Sequence, residues 1–570
     1  MKAGFETGCA MDIIAIIQQE ITGYLEGAAR KAREAGDLSF ETLPDFIVEV
    51  PREKEHGDFA SNLAMLLAKQ ASMPPREVAG VLLNYMELAH TWIQQTEIAG
   101  PGFINFKLKP SWVYPALEAA DRADKKYGRS DVGKGKKVQV EFVSANPTGE
   151  LHMGNARGAA LGDTIASVLE AAGYQVSREF YINDAGNQIE NFGRSLEARY
   201  LQLLGREAEV PEEGYHSEDL IETMKHLIAQ VGDKYLEAGE DFRREMLVEF
   251  ALEEKLRDIR ETLREFGVEY DVWFSERTLH EDGSIEKVLE ELRQKDYIYE
   301  NEGALWFKST LFGDQKDEVV VRANGMPTYF AADIAYHQNK FQRGFDWVIN
   351  VWGADHHGHV PRMKGAVEAL GYRREQLDVV IMQLVRLFSG DETLRMSKRS
   401  GQYITLRDLM QEVGKDAARF FFVMRAADSH LDFDLDLAKS QSSDNPVYYV
   451  QYAHARICSI LRQAVSQGIE VRRAFKVNFA GLDSPAEFDL MRRIADLPGV
   501  VKTAAETLEP HRLTHYAMEL AGAFHRFYSD CRVLGEEDCK QAARIVLVNV
   551  TRIVLRNVLE LIGVEAPERM

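Results

Sequence analysis

The chain is 570 residues long, with 45% hydrophobic and 28% charged side chains, enough apolar content to fill cores in about three to four domains. It has no apolar run of about 18 residues, which excludes a membrane-spanning helix, and its start lacks the basic-then-apolar pattern of an export signal. A net charge of −22 argues against a polyanionic partner unless Lys and Arg gather on one face.

Met11 reads as a more natural start than Met1, so residues 1 to 10 are expected to carry no chemistry. Residues 12 to about 35 and 60 to 90 read as amphipathic helices around the strand-like segments FIVEV and FINFKL, the second introduced by Gly100-Pro101-Gly102. This predicts an α+β module over residues 1–122. The polar, Gly-rich stretch 123–137 reads as a linker. From 138 to about 440, apolar β-branched runs (VQVEFV, WVINVWG, VVIMQLV) alternate with helical stretches, which predicts an α/β domain on a parallel, doubly wound sheet spanning 123–440. The acidic, helical segment 205–310, closing on the hairpin-like YIYENEGALWFK, reads as one insertion in that sheet. After Asn445-Pro446 the pattern is helical to the end, so 441–570 is expected to be an all-α bundle. Cys9, Cys458, Cys531 and Cys539 lack paired metal-ligand spacing and suit free thiols in a reducing cytoplasm.

Chemistry concentrates in three places. His152-Met153-Gly154-Asn155 is a polar turn between the strand KKVQVEFV and a small-residue-rich helix, 156–172, so helix-start N–H groups are presented to an anion, with phosphate the natural guest. Far downstream, Arg395-Met396-Ser397-Lys398 lies in a polar loop able to bring cations over the same phosphates, which suggests chemistry at the α-phosphate of ATP. The third is the turn Trp352 to His359 after the strand WVINV, a polar rim at the carboxyl end of a sheet strand. Its three histidines have no cysteine or spaced carboxylate to complete a metal set, so no metal site is expected.

The first two segments look like the paired phosphate signatures of class I aminoacyl-tRNA synthetases. Four further blocks, Glu55 to Ala68, Phe180 to Tyr200, Asp444 to Ser459 and the terminal GVEAPERM, resemble the bacterial type of arginyl-tRNA synthetase, and together they cover nearly the whole chain. Two positions depart from the family pattern: Asn155 stands for a histidine, keeping hydrogen bonding without a possible positive charge, and Arg395 stands for a lysine.

The resemblance implies ligation of L-arginine to tRNA(Arg) through an arginyl-adenylate, with transfer to the 2′-hydroxyl of the terminal ribose. It also implies activation that requires bound tRNA, Mg²⁺ arriving with ATP, and a monomer. By the same likeness, His152, Asn155, Arg395, Ser397 and Lys398 would be catalytic. ATP would meet His152, Gly154, Asn155, Gly353, Asp355, His356, His359, Met396 and Lys398. Arginine would meet Glu141, Ser144, Asn146, Tyr329, Asp333 and His356, where carboxylates suit the guanidinium's planar fork of donors and Tyr329 and Asp333 fall at i and i+4 on one helical face. The N-terminal module would contact the tRNA elbow, and Tyr448, Tyr452 and Arg456, in a stripe with Tyr449 and His454, would stack on anticodon bases, although most such stripes are core. Two rival readings stay open: a class I synthetase for another amino acid, and a synthetase-like tRNA-binding protein without catalysis.

Overall fold

The computed structural model describes residues 12–570 apart from 52, 90, 391 and 395–403; the side chains of residues 54 and 392–394 also lie outside it. Arg395, Met396, Ser397, Lys398 and Cys9 are therefore outside the described residues.

A five-stranded, all-parallel sheet forms the centre. Its spatial order is Leu377–Met382, Trp347–Gly353, Lys137–Glu141, Gln175–Ile182, Val272–Ser275. The first of these strands in the chain, Lys137–Glu141, is the middle one. The next runs to one side of it and Trp347–Gly353 to the other, so the winding reverses between Lys137–Glu141 and Trp347–Gly353. In an open parallel sheet that reversal leaves a crevice beyond the carboxyl ends of the two strands, where loops diverge and a ligand can enter. Glu141 and Gly353 sit at those ends.

The parallel sheet expected over 123–440 is present, but the segment 205–310 is not one insertion. Val272–Ser275 rejoins the main sheet as its edge strand, pairing in parallel with Glu179–Ile182. Its four residues were masked by the acidic helices before them, and stacking fixes it: Trp273 on Phe180 at 4.4 Å and Phe274 on Tyr181 at 6.2 Å. The hairpin is real, Ile298–Asn301 with Ala304–Phe307, and Glu318–Val321 makes it a three-stranded antiparallel sheet.

The N-terminal module packs three helices, Ile13–Ala35, Leu63–Ala71 and Pro75–Tyr85, on a four-stranded antiparallel sheet. The expected helix over 60–90 is split, because Ser72 turns left-handed at φ 50° and Pro74-Pro75 removes the donors a continuous helix needs. FIVEV supplies only the short strand Val48–Glu49.

The stretch 123–137 is docked rather than free. Tyr127 is buried and donates to the Ile494 carbonyl at 3.0 Å, Arg556 pairs with Asp124 at 2.6 Å, and a side chain on Gly128 would strike Leu497 at 2.8 Å. It thus joins the central parallel sheet to four C-terminal helices, Pro446–Ser466, Pro485–Thr507, His511–Asp530 and Asp538–Ile562, whose apolar faces share one core with the first module and most of the sheet. Among the described residues no helix is long and apolar enough to cross a membrane.

Candidate active site

The half of the candidate site expected to take the nucleotide is built by backbone. His152 caps the helix Met153–Ala171 in a reciprocal box: its Nδ1 accepts from the Gly154 N–H at 3.1 Å, while Asn155 Oδ1 accepts from the His152 N–H at 3.1 Å. Asn155 thus has a defined structural task that suits a neutral amide. A β-carbon at Gly154 would lie 3.0 Å from His152 Cε1, so any larger residue presses on the ring that caps the helix. One level down, a β-carbon on Gly162 would sit 2.2 Å from the Phe142 ring, so glycine lets the helix lie directly on the strand.

Beside this turn lies a cavity of about 420 Å³, bounded by His152, Gly154, Asn155, Gly353, Asp355 and the segment Met382–Val385. Leu384, 70% exposed, faces its rim. Arg157 fixes that wall. Fully buried, it donates to the carbonyls of Gln383 at 2.7 Å and Ala426 at 2.9 Å, and burial draws its guanidinium down to about 10. The sequence reading passed over Arg157, although an arginine inside a helix of small residues was a visible signal.

The two flanks of 395–403 meet this wall. Glu392–Leu394 pairs with Val385–Ser389, whose first residue lines the cavity, and on the far side Thr405 bridges to His152 while the Leu406 N–H donates to the Leu151 carbonyl at 2.8 Å.

The half expected to take the amino acid is built by side chains. The strand leaves Glu141 through Val143 and Ser144, both left-handed at φ 69° and 39°, with the Ser144 N–H donating to the Phe142 carbonyl at 3.0 Å. Such conformations cost about 1–3 kcal/mol each and cluster where function demands them. Here the turn lets the Ser144 hydroxyl donate to Glu141 Oε1 at 2.9 Å, while the Ser144 Oγ itself accepts from the Tyr181 N–H at 3.2 Å. Glu141 is 6% exposed, and Lys340 Nζ donates to its Oε2 at 2.6 Å.

Tyr329 opens the helix Tyr329–Gln342 with its ring beside Gly186; Asp333, one turn on, holds His359 Nε2 at 3.0 Å. Asn146 is exposed and donates to Gln188 at 2.7 Å. The site therefore assembles Glu141, Ser144, Tyr329, Asp333 and His359, with Asn146 at its mouth. Asp355 and His356 stand outward on the rim, His356 beside Trp352 at 5.9 Å. His359 thus faces Asp333 of the amino-acid half, although the sequence grouped it with ATP.

A third carboxyl was missed. Burial first, then the charge of Asp333, push Glu276 up to about 7, against a hydrogen bond from Tyr181 that lowers it. The Tyr181 phenol is in turn pushed up by burial and by Glu276, Asp333 and Glu141 around it. Glu276 follows the four-residue edge strand and carries no local motif, so only the fold reveals it.

Away from this centre, Tyr448 stacks on Tyr452 at 6.1 Å, and Arg456 lies 4.9 Å over Tyr528 and donates to the Tyr452 hydroxyl at 2.7 Å. Tyr452 and Tyr528 are exposed. His454, read as part of this stripe, is instead buried, its Nδ1 against the Pro567 carbonyl at 2.9 Å, because it falls on the opposite, core-facing side of the helix.

A parallel sheet with a phosphate-ready capped turn, a crevice at its winding reversal and a helical C-terminal domain define a class I aminoacyl-tRNA synthetase. Residues 117–425 match the family described as tRNA synthetases class I (R), catalytic domain; residues 15–108 match the arginyl tRNA synthetase N terminal domain and 450–570 the DALR anticodon binding domain. The arginine–tRNA ligases of Moorella thermoacetica and Heliobacterium modesticaldum are each 61% identical, over 98% of this chain and all of theirs. The Thermus thermophilus arginyl-tRNA synthetase structure shares the fold at TM-score 0.72 and 23% identity, over 96% of this chain and all of its own. The chain belongs to the arginyl-tRNA synthetases.

Proposed function

We propose that the chain ligates L-arginine to tRNA(Arg) in two steps at the site described, acting as a monomer in the cytoplasm. In the first, the arginine carboxylate attacks the α-phosphorus of ATP and the bond to pyrophosphate breaks. In the second, the 2′-hydroxyl of the terminal ribose attacks the adenylate carbonyl and AMP leaves. Neither step needs a protein nucleophile, so the side chains position reactants and meet developing charge.

The reading of the amino-acid half is supported above all by Glu141, Asp333 and Glu276 converging on Tyr181, an acidic recess matched to a guanidinium. Tyr329 covers that recess and Ser144 orients Glu141. ATP takes the cavity beside His152, Gly154 and Asn155, with Gly353, Asp355 and His356 at its rim. Lys398, Ser397, Met396 and Arg395 are assigned to the ATP phosphates, as the family resemblance implies. Asp355 is the one carboxylate among the described lining residues and would be the residue to meet a Mg²⁺ arriving with ATP, which would supply positive charge beside the phosphates. The exposed Tyr452–Arg456 stripe, with Tyr448, stacks on unpaired bases.

Arginine-dependent ATP–pyrophosphate exchange, run with and without tRNA, tests the order of events. Exchange that appears only with tRNA and collapses in Lys398→Ala is expected. Equal exchange without tRNA would remove the RNA requirement, and an unaffected Lys398→Ala would remove that loop from catalysis.

A further inference from the structure

A row of polar side chains crosses the buried sheet beneath the amino-acid half. Asn350, Glu141 and Glu179 are in-register neighbours on three adjacent strands, each interrupting an apolar run. Buried polar groups persist only where they are bonded. The helix Tyr329–Gln342 lies across the row and supplies the partners. Lys340, fully buried, donates to Glu141 at 2.6 Å and to Asn350 Oδ1 at 2.9 Å, with its ammonium 4.2 Å from the Tyr336 ring centre. Tyr336 and Arg343 serve Glu179 in the same way, at 2.6 Å each.

From Asn350 the network continues towards the substrate residues. Its Nδ2 donates to His337 Nε2 at 2.8 Å, and His337 Nδ1 donates to the Asp333 carbonyl at 2.7 Å. That directionality requires a neutral imidazole, which burial and the nearby Lys340 charge enforce. The bonds thus run unbroken from Glu141 through Lys340, Asn350 and His337 to Asp333. These are two of the carboxylate-bearing residues that face the guanidinium, and they come from a strand and a helix far apart in sequence.

Resting on the arginine-ligase reading, we infer that Lys340 is a positioning residue for amino-acid recognition: with Asn350 and His337 it sets the Glu141 carboxylate at a fixed separation from the helix turn bearing Tyr329 and Asp333. Lys340 does not touch substrate. Without it, Glu141 is buried with no cation and leaves the orientation that a guanidinium fork needs. In the neighbouring cluster Glu179 is fully buried and takes the Tyr336 hydroxyl and the partly exposed Arg343; Tyr336→Phe removes that hydroxyl yet keeps the ring beside Lys340, so it is the natural control.

The test is steady-state charging of tRNA by the full chain with arginine and ATP varied separately, for wild type, Lys340→Met, Asn350→Ala and Tyr336→Phe. In Lys340→Met the arginine KM should rise at least about tenfold with the ATP KM within about twofold. Asn350→Ala keeps the ion pair and should raise the arginine KM about threefold, which decides the matter if Lys340→Met does not fold. Tyr336→Phe should lower thermal stability and leave both KM values in place. An unchanged or lowered arginine KM in Lys340→Met, a parallel rise for both substrates, or an equal rise in Tyr336→Phe overturns the positioning role. Failure of wild type itself to charge arginine would strike instead at the ligase reading.

Discussion

The two halves of the active site are made in opposite ways. The half proposed for the nucleotide centres on a short stretch of chain, 152–158, where glycines leave steric room and a reciprocal cap fixes the helix start, and few charged side chains take part. The amino-acid half gathers Glu141, Tyr181, Glu276, Asp333 and His359 from strands, a helix and loops, over a buried polar network. A backbone-built half depends on steric room, whereas a side-chain-built half depends on charge and register. Substitutions should therefore separate the two.

The largest separation is expected at Asp333. Asp333→Ala removes a carboxylate from the recess and leaves His359 unpaired, and should cut kcat/KM for arginine roughly hundredfold or more while the ATP KM holds. A comparable loss for both substrates would merge the halves. Gly154→Ala is the converse: its β-carbon meets the His152 ring at 3.0 Å, and the ATP KM should rise about tenfold while that for arginine stays put.

Glu276 sharpens the comparison through pH. An unfolded glutamate titrates near 4.5, and the folded one is raised to about 7. Below 4.5 both states hold the proton; between 4.5 and 7 only the folded state does. Stability from this group is thus complete at low pH and lost as pH rises through about 7, by about 3 kcal/mol. Unfolding at pH 5 and pH 8 should show Glu276→Gln losing less stability than wild type over that interval; equal losses would mean that Glu276 is not held protonated. The smallest effect is expected outside both halves. Tyr452→Ala should raise the tRNA KM about fivefold, with arginine and ATP constants unmoved.

The same contrast explains what the sequence revealed. A contiguous turn such as His152–Asn155 is legible because its neighbours in sequence are its neighbours in space, and the long apolar periodicity of 543–564 predicts its helix, stopped by Gly563 at φ 72°. Glu141, Tyr329 and Asp333 were named only through family resemblance, since nothing local distinguishes Asp333 from a surface acid. Glu276, Lys340 and His337 escaped notice because their roles arise from contacts across as many as 199 residues, as between Lys340 and Glu141. One signal was available: Glu141, Glu179 and Asn350 are polar residues inside the apolar strands VQVEFV, REFYI and WVINV, and a polar side chain in a core strand needs a partner. The sheet-edge strand Val272–Ser275 was hidden by its brevity between helical stretches.

The most direct measurement is ATP-dependent attachment of labelled arginine, lysine and glutamine to total tRNA by the intact chain. The acidic recess around Tyr181 predicts charging with arginine alone, lost in Asp333→Ala. Charging with lysine or glutamine, or an Asp333→Ala variant that charges arginine as wild type does, would contradict the assignment of that recess to the guanidinium.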